Sequence, residues 1–151
     1  MAALQQKATS LSRTLDTDHV QAGIVIDVVG PAQTTALPAA VEVAAYRIAT
    51  EALTNVVRHS GAARASVDVT VNGALEISVA DNGTQPWNPT RAGVGLSSMR
   101  ERAEELGGSC SVTSRPGGGT LVHAVLPLPS PPVDAVPRPS AHRDDQPVGQ
   151  P

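Results

Sequence analysis

Residues 37–61 read LPAAVEVAAYRIATEALTNVVRHSG, and residues 66–80, a few positions on, read SVDVTVNGALEISVA. The change of apolar period between these two segments decides the fold class. In the first, Val41, Ala45, Ile48, Ala49, Ala52, Leu53 and Val56 fall on one face at helical spacing, which commits that stripe to a core. Proline suits a first helical turn and glycine a stop, so the spacing predicts a helix from Leu37-Pro38 to Ser60, ended by Gly61. In the second segment Val67, Val69 and Val71, then Leu75, Ile77 and Val79, alternate on either side of Asn72-Gly73. Two period-two runs around Asn-Gly predict a hairpin, because both turn residues tolerate positive φ.

Upstream, the β-branched run Ile24 to Val29 before Gly30-Pro31 reads as a strand, and Leu4, Ala8, Leu11 and Leu15 recur at helical spacing between Met1 and Asp16. Downstream, Asp81 to Gly95 is a loop rich in Gly, Pro, Asn and Thr, long enough to be a mobile lid over a ligand. A helix is expected from about Ser97 to Leu106, closed by Gly107-Gly108. Cys110 to Ser114 and Thr120 to Leu126 read as a second hairpin joined by Arg115-Pro-Gly-Gly-Gly119. Helices mixed with mainly antiparallel strands give an α+β two-layer sandwich.

The chain divides into a helical lead-in over 1–21, one domain over 22–128 and a tail over 129–151. Prolines 129, 131, 132, 137, 139, 147 and 151, separated by polar filler, predict a disordered tail that cannot offset the entropy of ordering. A length of 151 residues with 40% hydrophobic residues suffices for one buried core, filled by aliphatic side chains because Tyr46 and Trp87 are the only aromatics. That scarcity, with a net charge of −3, argues against stacked-base or basic nucleic-acid surfaces. No nucleic-acid partner and no membrane contact are expected. A lone Cys110 fits a reducing compartment, and the N-terminus lacks a basic segment followed by an apolar run, so a cytoplasmic location is expected.

Several polar sets are candidates for chemistry. Glu51, Asn55 and His59 lie at successive helical turns, with Arg47 and Arg58 nearby. A carboxylate and an amide oxygen on a rigid helix suit Mg²⁺ shared with phosphates, although polar residues also form the solvated flank of any amphipathic helix. Asp81-Asn82-Gly83 puts a carboxylate at a strand end, and equally makes an ordinary turn. Gly93-Val94-Gly95-Leu96 precedes a helix, where backbone can approach phosphate at the positive helix end. It is neither a Rossmann fingerprint nor a Walker loop, and protein-kinase signatures are missing. No histidine or cysteine pair has zinc-ligand spacing, Ser60 with His59 lacks a nucleophile elbow, and Cys110 reads as a small buried hydrophobe.

Taken in order, Tyr46-Arg-Ile-Ala-Thr-Glu51-Ala-Leu-Thr-Asn55-Val-Val-Arg58-His59-Ser60, Asp81-Asn-Gly83, Gly93-Val-Gly95-Leu-Ser-Ser-Met-Arg-Glu-Arg and Gly117-Gly-Gly-Thr120 form a linked series. The series resembles the catalytic ATP-binding domain of bacterial two-component sensor histidine kinases, in the subfamily paired with helix-turn-helix response regulators. The likeness runs from about Ala22 to Leu128. It implies the ATPase sandwich shared with gyrase: helices on one face of a mixed sheet, with ATP and Mg²⁺ under a mobile lid.

By position, Glu51 resembles the acidic residue that orients or polarises the attacking group, and Asn55 the asparagine that binds Mg²⁺. Arg58 and His59 would reach the phosphates. Asp81 resembles the aspartate accepting a hydrogen bond from the adenine amino group, with Gly83 leaving room for the ring and Thr120 supporting the contact. Gly93, Gly95 and Leu96 match the box where the lid ends. The implied partners are a histidine-bearing dimerisation domain and, indirectly, a response regulator. Gln85 stands where members often carry glycine, and no histidine here has the acidic-basic setting of a phosphoacceptor. A severed or shortened catalytic domain that does not phosphorylate itself is therefore expected. An anti-sigma-factor-type serine kinase and a nucleotide-binding pseudokinase are the alternative readings.

Overall fold

The computed structural model describes residues 24–31, 37–84 and 94–129. Gly93, Gln85, Trp87, the expected N-terminal helix and almost all of the proline-rich tail lie outside these residues. The elements run β1 (Val25–Val29), α1 (Ala39–Asn55), a π-helical turn (Val56–Ser60), β2 (Arg64–Val71), β3 (Ala74–Asp81), α2 (Val94–Glu104), β4 (Ser109–Ser114) and β5 (Thr120–Pro127).

The apolar stripe of α1 lies where its spacing placed it: Val41, Ala45, Ile48, Ala49, Ala52, Leu53 and Val56 are all buried. Pro38 stands just outside the first turn, and its carbonyl accepts the Glu42 N–H at 3.0 Å. Gly61 ends the helix at φ 63°, a conformation that L side chains rarely adopt. The expected regular helix through Ser60 needs correction, because its last five residues wind as a π turn, which takes one extra residue per hydrogen-bonded ring.

Five strands form one sheet in the order β1-β2-β3-β5-β4, with β1 parallel to β2 and the other pairs antiparallel. Asn72-Gly73 closes the β2–β3 hairpin as its period predicted, with Gly73 at φ 74°. Within the sheet, Val67, Val69, Leu75, Ile77, Val79, Val122, Ala124 and Leu126 point to a common buried face. That face meets the α1 stripe and Leu96, Met99 and Ala103 of α2, so both described helices cover one side. Ser66, Asp68, Ser78, His123 and Ser111 alternate onto the other side, where His123 Nε2 stands 3.4 Å from Glu76 Oε2. The result is the two-layer sandwich with a mixed sheet.

Helix α2 begins at Val94, three residues before the expected start, so Gly95 and Leu96 belong to its first turn. It ends at Glu104, two residues before the expected Leu106, and a turn over 105–107 closes it at Gly107, φ 71°, whose N–H donates to Glu104 at 2.8 Å, while the Gly108 N–H donates to Ala103 at 2.8 Å. Cys110 is buried and unpaired, and burial raises its thiol above the ordinary range against a smaller opposing pull from Arg100.

Candidate functional site

Asp81 is the last residue of β3, and alternation turns its side chain to the core side, where it is only 2% exposed. A buried carboxylate needs hydrogen bonds, and the backbone supplies two. The Gly83 N–H donates to Oδ1 at 2.7 Å, and the Thr120 N–H, from the start of β5, donates to Oδ2 at 3.2 Å. A carboxylate offers about four acceptor positions, so capacity remains for an N–H donor from a ligand. Thr120 thus meets Asp81 through its main chain.

Glycine is required at 83 by close packing. A β-carbon there would collide with the Ser60 carbonyl and lie 2.8 Å from both Asp81 Oδ1 and the Ser60 β-carbon. Ser60 itself, 8% exposed, donates its Oγ–H to the Val56 carbonyl at 2.7 Å and accepts the Ala62 N–H at 3.0 Å. It closes the π turn and brings the end of the first helix against the end of β3. Asn82 ties the same corner, its Oδ1 accepting the N–H groups of Ala63 at 3.1 Å and Arg64 at 2.9 Å.

The second part of the site lies farther back along the helix. Glu51 and Asn55, one turn apart and half-buried, face the first turn of α2. A β-carbon at Gly95 would collide with Glu51 Oε1 and lie 3.5 Å from Asn55 Nδ2, so the two helices approach as closely as they do because residue 95 has no side chain. Leu96, next to it, is buried in the core and anchors that turn. Asn55 immediately precedes the π turn that Ser60 closes, and Ser60 packs on Gly83 beside Asp81. The Asp81 carboxylate and the Glu51–Asn55 pair therefore occupy the same end of the sandwich.

Arg58 and His59 are exposed on the π turn. The wider winding carries His59 off the straight Glu51–Asn55–His59 line that an α-helix through Ser60 would give. Of the predicted residues, Glu51, Asn55, Gly95 and Leu96 gather at the helix pair, and Asp81, Gly83 and Thr120 at the strand ends. Ser60, Asn82, Arg115 and Gly119 join the second group without having been singled out for it. The run of three glycines was the one available signal for Gly119, and nothing in the local sequence marked Arg115.

Residues 40–130 match the family described as histidine kinase-, DNA gyrase B-, and HSP90-like ATPase. The chain is 39% identical over 106 residues to the sensor histidine kinase LiaS of Bacillus subtilis, covering 68% of this chain and 29% of that protein. It is 35% identical over 121 residues to the nitrate/nitrite sensor protein NarQ of Escherichia coli, covering 76% and 21% respectively. Among solved structures, the ATP binding domain of PrrB from Mycobacterium tuberculosis superposes with a TM-score of 0.62 at 25% identity, over 85% of this chain and 93% of that one. The chain spans less than a third of the length of LiaS or NarQ.

Proposed function

Since the chain belongs to the histidine kinase-, DNA gyrase B- and HSP90-like ATPase family, as an ATP-binding catalytic domain of the sensor histidine kinase type, we propose that it binds Mg-ATP and transfers the γ-phosphoryl group to a histidine on a partner domain. The observation that carries this reading is the buried Asp81 carboxylate with acceptor capacity to spare, on the same end of the molecule as Glu51 and Asn55. It suits an adenine amino group at Asp81 and phosphates toward Glu51 and Asn55.

Each residue then has a physical task. Asp81 accepts the adenine N–H, and Gly83 keeps the wall beside it thin enough for a ring. The first turn of α2, bare at Gly95 and fixed by Leu96, offers backbone N–H groups and the positive end of the helix to phosphate oxygens. Gly93, matched to the same box by sequence alone, lies outside the described residues. Arg58 and His59, exposed at the helix end, are free to turn toward that charge. Glu51 orients or polarises the attacking imidazole.

The donor set also fits Mg²⁺. Glu51 and Asn55 bear hard oxygens beside the first turn of α2, and Asn55 would hold the ion together with phosphate and water. When bound, it would supply positive charge to offset that of the phosphates. The protein's own contribution is positioning and preorganised charge, which is most of what phosphoryl transfer asks. The histidine acceptor, a downstream response regulator and a cytoplasmic setting, where ATP is available, complete the proposal. No described helix is long and apolar enough to cross a membrane.

The test supplies γ-labelled ATP, Mg²⁺ and a separate histidine-bearing dimerisation domain. Acid-labile label on that domain is expected, and Glu51→Gln should lower its rate about 100-fold while leaving ATP affinity within about threefold. ATP binding with no transfer by the unsubstituted chain would overturn the catalytic assignment in favour of a nucleotide-binding pseudokinase.

A further inference from the structure

The β3–β5 ladder ends one pair short of Asp81: its last registered pair is Ala80 opposite Leu121. The Asp81 carbonyl points at the turn that leads into β5, since a β-carbon on Gly119 would collide with it. The donor that meets this carbonyl is a guanidinium. Arg115 Nη1, from the far side of the turn, donates to the Asp81 carbonyl at 2.8 Å.

The same residue also closes the turn through its backbone. The Arg115 N–H donates to Gly119 at 3.0 Å, and the Gly118 N–H donates to the Arg115 carbonyl at 3.1 Å. Between them Gly117, Gly118 and Gly119 all hold positive φ, at 87°, 108° and 87°. Three glycines in succession have little intrinsic preference for one conformation, so an anchor outside the turn decides where it rests. Its position matters, because the next residue, Thr120, gives Asp81 Oδ2 one of its two backbone donors.

We propose that Arg115 is a positioning residue for the base-recognising end of the site. It pins the 115–119 turn to the end of β3 and so keeps the Thr120 N–H on the Asp81 carboxylate, fixing the carboxylate's aim. This rests on the nucleotide-binding reading given above. Its side chain is otherwise exposed, so it acts through one charge-assisted hydrogen bond rather than through packing.

The experiment measures Mg-ATP and Mg-ADP binding by calorimetry for the unsubstituted chain, Arg115→Ala and Arg115→Lys, alongside thermal unfolding and the exchange rate of the Thr120 amide proton without nucleotide. Arg115→Ala should weaken ATP and ADP equally, by about tenfold, and speed Thr120 exchange. Arg115→Lys should recover most of both, since a single N–H donor is all the geometry uses. Unchanged nucleotide affinity in Arg115→Ala overturns the proposal, whether or not the melting temperature drops. So does a loss confined to ATP, which would mean direct contact with the terminal phosphate. No nucleotide binding by the unsubstituted chain would instead refute the parent reading, and this one with it.

Discussion

Asp81 shows how much one oxygen atom can decide. Both of its carboxylate oxygens already hold backbone N–H groups, so Asp81→Asn must set an amide NH₂ against either Gly83 or Thr120. A donor facing a donor in a buried site costs about 1–3 kcal/mol of stability. Asparagine also leaves one acceptor oxygen where the carboxylate has two and removes the charge that strengthens a bond to a ligand N–H, so Mg-ATP affinity should fall about 10- to 100-fold by calorimetry, and unchanged affinity would remove Asp81 from the site. Gly95 makes the opposite case, a position defined by an atom it lacks. Alanine is the better helix former, yet its β-carbon would displace the Glu51 carboxylate. Gly95→Ala is expected to keep the melting temperature within a few degrees and to slow phosphoryl transfer about tenfold or more. A variant as fast as the parent chain would dissociate Glu51 from catalysis.

At the scale of elements, the helix stripe and the two hairpins were legible because burial enforces period. Ile48 and Ile77 are almost wholly buried on opposing layers, and truncating either to alanine should cost about 2–5 kcal/mol in urea unfolding, with the slope m unchanged. A loss below about 1 kcal/mol at both would mean that the two layers do not share one core. The π turn was not legible. An α and a π turn bury the same Val56, and what selects the wider turn is tertiary: Ser60 must meet Gly83 while its hydroxyl reaches back to Val56. The start of α2 moved for a related reason. Val94-Gly95 looks like loop by composition, but contact of Gly95 with Glu51 and burial of Leu96 reward starting the helix there. Glu51, Asn55 and Asp81 entered the candidate site through the order of the linked series, since each taken singly is ordinary helix-flank or turn chemistry. The site was illegible where the backbone did the work, as with the Thr120 N–H, or where a partner came from 34 positions away, as with Arg115.

For the molecule as a whole, Cys110 couples stability to alkaline pH. Burial raises its thiol above the ordinary value of 9.0, so between that value and the raised one the folded chain holds a proton that the unfolded chain has lost. Stability is full below the ordinary value and falls as pH climbs through the raised one. Equilibrium unfolding measured between pH 7 and 10.5 should show that decline, and Cys110→Ala should flatten it. An equal decline in the variant would put the effect elsewhere.

The parallel pairing of β1 with β2 carries a kinetic consequence. Val25 meets Arg64 across 39 positions, whereas β2 and β3 are joined by two residues and β4 and β5 by five. Closing the long loop costs more entropy before any contact rewards it, so β1 is expected to be the last of the described strands to take its place. Stopped-flow measurements on Val28→Ala, at a position packed against the core from β1, should then show faster unfolding and an unaltered refolding rate. Slower refolding would place this edge strand in the nucleus.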